Sequence, residues 1–163
     1  AAGQAHRTMK RLPAVLLVLA LAVVLGSLRD LLLINLNYQL DHVQRGTPYS
    51  YAHSAFQAAV SGWGLKALIA LKWGLAIGFV AATWTLCQAL LAVFGVRARA
   101  GRLVTIGFGG IAVLALVAHV LAHFWPRLEP VSVDLLHAIQ YPVIVLLLLV
   151  VLWLHQARQE AQR

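Results

Sequence analysis

Four long apolar runs constrain this chain more than anything else in it. They cover residues 14 to 34, 64 to 96, 103 to 125 and 131 to 155, and a helix needs about 20 apolar residues to cross a hydrocarbon core of ~30 Å. In such a core each backbone N–H and C=O must be satisfied within its own segment, which makes these runs helices. The expected fold is all-α: a polytopic four-transmembrane-helix antiparallel bundle, in a single domain over residues 1 to 163, with an amphipathic helical cap at about 35 to 63 on the outer side.

Composition sharpens what the runs exclude. The chain is 61% hydrophobic and 11% charged, with a formal net charge of +8. A nucleic-acid-binding domain of that charge lines one wettable face with its basic residues, whereas these fall between apolar blocks. No nucleic-acid partner is expected; the expected partners are the lipid bilayer and other integral membrane subunits.

Lys and Arg concentrate in cytoplasmic loops, so the charges orient the chain. Arg7, Lys10, Arg11, Arg97, Arg99, Arg102, Arg158 and Arg163 lie on one side, while Arg29, Arg45 and Arg127 lie on the other with Asp30, Asp41, Glu129 and Asp134. This predicts cytoplasmic N- and C-termini in the inner membrane of a bacterium, the organism class being read from the compact design. The first run is too long for the apolar core of a secretory signal and has no small-residue cleavage pattern before Arg29. The single Cys87 permits no intramolecular disulfide and reads as a small buried side chain.

The connection between the first two runs carries its own pattern. Leu32, Leu36, Leu40 and Val43 recur at helical spacing, so the first span either continues past the membrane or bends into an interfacial helix. Thr47-Pro48 opens, and Gly62 closes, a short second helix over 48 to 61. Asn35, Asn37, Tyr38, Asp41, His42, Tyr49, Tyr51 and His53 make this cap rich in hydrogen-bonding groups, readable as a solvated surface or as a partner-docking one.

Gly74, Gly78 and Ala82 repeat every four residues on the second span. In lipid, small residues let helix backbones approach and gain van der Waals contact; the expected partner of this face is the bundle itself, with a different subunit as the alternative. Gly107, Gly109 and Gly110 offer the same on the third span.

Ionisable and polar groups inside spans mark either function or register. Depth counting places Arg29, Asp30, Lys72, His119, His123, Asp134, His137 and Gln140 in one layer near the outer leaflet. Adjacent helical residues point about 100° apart, which predicts that Arg29 pairs with Asp134 and Asp30 with Lys72, neutralising the layer. His119, seven residues before Pro126, and His137, seven after Pro130, lie at matching depth in the last hairpin. Pro142 deprives the Ala138 carbonyl of its helical donor and favours a kink there.

Three classes of function follow. The first is a non-catalytic accessory subunit of a multi-subunit membrane complex, energy-converting complexes among them, docking through the cap and the small-residue face. The second is a redox subunit in which His119, His123, His137 and Gln140 hold haem b, a metal or a quinone, with lipid as a further ligand. The third is a membrane-embedded enzyme on lipid-linked substrates using Asp30, His42, His53 or His137; the chain carries no G-x-S-x-G, H-E-x-x-H or P-loop motif, and no catalytic residue is assigned.

Overall fold

A computed structural model describes residues 2–46 and 55–162, with side chains over 11–46, 55–159 and 161–162. Its helices are α1 (Ala2–Arg45), α2 (Ala55–Val60), α3 (Leu65–Val93), α4 (Arg97–Ala122), α5 (Glu129–Gln140) and α6 (Val143–Ala161), with a 3-10 turn at Pro126–Leu128 before α5. No strand occurs among the described residues. Three helices are long and apolar enough to cross a membrane, and the α5–α6 pair, bent by 57°, makes a fourth when taken as one span.

The first span does not stop at residue 34. α1 runs unbroken for 44 residues, about 66 Å at ~1.5 Å per residue, twice the depth of a hydrocarbon core. Asn35, Asn37, Tyr38, Asp41 and His42 therefore ride on its last three turns rather than on a separate surface helix. Tyr49, Tyr51 and His53 lie outside the described residues. Of the short second helix the described residues hold Ala55–Val60, and Val60 of α2 packs with Leu36, Leu40 and Leu68 into a small core at this capped end.

Each span shows the core a stripe that repeats every seven residues. On α1 it is Ala22, Arg29 and Leu36; on α4 Gly101, Phe108 and Ala115; on α5 Ser132 and Ile139; on α6 Val145 and Leu152. This is the period at which packed helices keep one face towards their neighbours. Toward the end bearing the termini, Val18, Cys87, Leu90, Leu91, Phe108, Val145 and Leu152 close one apolar core. Much of the surface along the helices is apolar too: Leu103 is 71% and Val23 68% exposed. Apolar surface of this extent is rare on a soluble monomer, and it is compatible with helices that cross a membrane.

The expected close-packing stripe faces the wrong way for internal packing. Gly74 and Gly78 are exposed, and a Cβ built on either meets nothing within 4 Å; Gly107, Gly109 and Gly110 are equally open. α3 instead buries Ala76, Phe79, Thr83 and Cys87, rotated about 100° to 200° from the glycines. Close approach occurs elsewhere. A Cβ on Gly26 would sit 3.2 Å from Pro142 Cγ, and one on Gly101 2.9 Å from Gln88 Oε1.

Candidate functional site

Pro142 shapes the site. It cannot donate to the helix ladder, and it disfavours helical geometry at the residue before it; Tyr141 is extended at φ −79°, ψ 131°. Ile144 N–H turns to the Tyr141 carbonyl at 3.5 Å, leaving the Gln140 carbonyl without its helical donor. The buried Thr83 hydroxyl of α3 donates to it at 3.1 Å. The kink expected at Pro142 is thus present, and a neighbouring span supplies the missing proton.

Into this break reaches Arg29, only 4% exposed. Its Nε and Nη2 donate to Gln140 Oε1 at 3.3 and 3.1 Å, and its Nη1 donates to Asp30 Oδ1 at 2.8 Å. The guanidinium carbon lies 3.8 Å from the centroid of the Tyr141 ring, within cation–π range. The Tyr141 hydroxyl donates to the same Asp30 oxygen at 2.8 Å, and Gln140 Nε2 reaches the Ala76 carbonyl at 3.4 Å. Five polar groups from α1, α3 and the α5–α6 break are joined in one network, and no buried side-chain polar atom is left without a partner among the described residues.

This corrects the expected pairing of the layer. Arg29 pairs with its neighbour Asp30, not with Asp134, and Asp30 is not bound to Lys72. The angle between adjacent positions still holds, but the long arginine arm with its five-donor fork bends round the helix, and Tyr141 holds the carboxylate in reach. Asp134 is exposed.

Above this node, at the capped end, α1, α3, α4 and α5 enclose a cavity of about 410 Å³. Asn37, Asp41, Gln44, Lys72, Trp73, His119 and Glu129 supply its polar or aromatic lining, over an apolar floor that includes Leu40, Ala76 and Leu136. Asp41 is held by Arg45 at 3.0 Å, and His119 meets Trp73 edge-on with ring centroids 5.4 Å apart. Sequence reasoning placed Asn37 and Asp41 in the cap and Lys72 and His119 in the polar layer without joining the two sets, and gave Glu129, Gln44 and Trp73 no site role.

The three histidines are spread rather than gathered. His119 lines the cavity, His123 lies 5.5 Å from Phe124, and His137 lies 6.0 Å from Tyr141; all three are exposed in the isolated chain. Gln140, placed with them from sequence, is engaged by Arg29. Among the described residues no group of three or more His, Cys, Asp or Glu side chains is placed to hold a metal ion. The chain matches no family model, no curated protein and no solved structure.

Proposed function

We propose that this protein is a non-catalytic subunit of a multi-subunit complex in a bacterial cytoplasmic membrane, with both termini cytoplasmic. The observation that carries the reading is the exposed face of Gly74 and Gly78 on α3, whose Cβ positions are open. The bundle leaves this face unused, and in lipid a small-residue face rewards a helix that lies close against it. The ionisable groups at the Pro142 break support the same reading, because they are committed to one another and serve as a register lock between spans. Native electrophoresis of mildly solubilised membranes tests it: the chain should run in a larger assembly and be released by Gly78→Leu or by deletion of the cap, residues 35 to 62. Migration as a single chain overturns the reading, and an assembly made only of this chain replaces it with a homo-oligomer.

The cavity favours a second reading, a subunit that holds a small amphipathic ligand such as a quinone. Lys72 and His119 offer donors above an apolar floor, with Trp73 beside them, which is the usual mixture of a pocket of this size. Extraction of the purified protein with organic solvent should yield a quinone that His119→Ala loses; a preparation without quinone removes this reading and leaves the first intact.

A further inference from the structure

At the opposite end of the bundle, where the chain termini lie, α3 and α4 form an open groove of about 750 Å³ lined by Trp84, Gln88, Arg97, Gly101, Arg102 and Thr105 together with Ala98 and Ile106. Its floor is rigid. Gln88 Nε2 donates to the Gly101 carbonyl at 3.0 Å and to Thr105 Oγ1 at 3.3 Å, and Trp84 Nε1 donates to the same hydroxyl at 3.0 Å. Because Gly101 has no side chain, the Arg97 stem lies against it, with Cγ 3.6 Å from where a Cβ would be. Neither Arg97 nor Arg102 forms an ion pair or side-chain hydrogen bond with any described residue. Four of the five acidic residues, Asp30, Asp41, Glu129 and Asp134, belong to the upper half of the molecule, and among the described residues no carboxylate lines the groove.

We infer that this groove binds the headgroup of an anionic phospholipid, its phosphate held between Arg97 and Arg102 and an acyl chain running down the exposed apolar face past Ile106. Charge complementarity supplies the argument. Basic pockets between spans recruit anionic headgroups, and a guanidinium matches a phosphate with two parallel N–H donors. The indole of Trp84 gives the groove an aromatic wall. The inference rests on the helices crossing a membrane, but on neither reading of function.

The test is native mass spectrometry of the full chain from mild detergent, offered equimolar phosphatidylglycerol and phosphatidylcholine with the same acyl chains. Phosphatidylglycerol should be retained preferentially. A charge-assisted guanidinium–phosphate bond is worth ~1.5 kcal/mol or more, so the preference should fall at least about tenfold in Arg97→Gln and again in Arg102→Gln. Arg99→Gln, whose side chain does not line the groove, should change it less than twofold. Equal retention of the two lipids overturns the proposal, and so does a loss in Arg99→Gln as large as in Arg97→Gln, which makes the effect one of diffuse charge. Displacement of the lipid by millimolar inorganic phosphate reduces the site to a free-anion site and also overturns it. Resistance of all variants to carbonate extraction from phosphatidylcholine vesicles separates failure of the groove from failure of the membrane reading.

Discussion

Arg29→Met removes the centre of the network at the Pro142 break, and its cost can be worked from the contacts. The bond to Asp30 is worth about 0.5–1 kcal/mol, because that carboxylate is 45% exposed and solvent screens it. The forked bond to Gln140 Oε1 is buried and charge-assisted, about 1.5–3 kcal/mol. The stack on Tyr141 adds about 1–2 kcal/mol. Losing its partner also orphans the buried Gln140 acceptor, at about 1–3 kcal/mol, and the relief of no longer burying a guanidinium offsets about 2–5 kcal/mol of the total. The net expectation is a loss of about 2–4 kcal/mol, or thirtyfold to nearly a thousandfold in the unfolding equilibrium. Neutral hydrogen bonds between spans average only about 0.6 kcal/mol, so a loss of this size reports the charge and not merely a contact. Unfolding by sodium dodecyl sulfate in mixed micelles, followed by tryptophan fluorescence, measures it. The sharper measurement is the double variant Arg29→Met with Gln140→Leu. It no longer leaves a buried acceptor orphaned, and should recover about 1–3 kcal/mol relative to the sum of the single variants. Additivity within about 0.5 kcal/mol would refute the claim that Arg29 and Gln140 act as a unit.

Three further expectations follow from the same geometry. Tyr141→Phe keeps the ring beneath Arg29 but deletes the bond to Asp30, so unfolding titrations should show a loss of about 1 kcal/mol; a neutral change would mean the hydroxyl is equally well served by water. Thr83→Val leaves the Gln140 carbonyl at the break without its donor and should cost about 1–3 kcal/mol by the same assay, whereas Thr85→Val, on the exposed side of α3, should cost under about 0.5 kcal/mol. Cys87 is 1% exposed, so a membrane-permeant maleimide should label the folded protein far more slowly than the protein unfolded in detergent. Equal labelling rates would place α3 in a different rotation.

Much of the architecture was legible in the chain because it depends on length and period alone. Runs of some 20 apolar residues predict spans, Pro142 predicts the break, and Leu32, Leu36 and Leu40 predict helix beyond the first run, either continuous with it or bent, of which α1 shows the continuous form. Even Arg29 carried a readable mark: it stands seven residues after Ala22 and seven before Leu36, on the stripe that α1 buries. Reading the layer by depth alone, without that stripe, sent Arg29 towards Asp134, and the four-residue spacing of Gly74 and Gly78 assigned to internal packing a face that the bundle leaves outside.

Depth and helical period are one-dimensional quantities, and a single helix contains both. Which face of α3 turns inward is decided by the volumes of the neighbours it meets: Ala76, Thr83 and Cys87 fit against α1 and the α5–α6 break, and the glycines are left to the outside. The gathering of Arg29, Asp30, Tyr141, Gln140 and Thr83 also requires that three separated stretches of chain arrive at one level with one rotation. The amino-acid order determined the number, length and breaking point of the helices through hydrophobicity and the missing proline N–H. Only tertiary packing, which settles helix rotation by close contact, decided which polar groups meet.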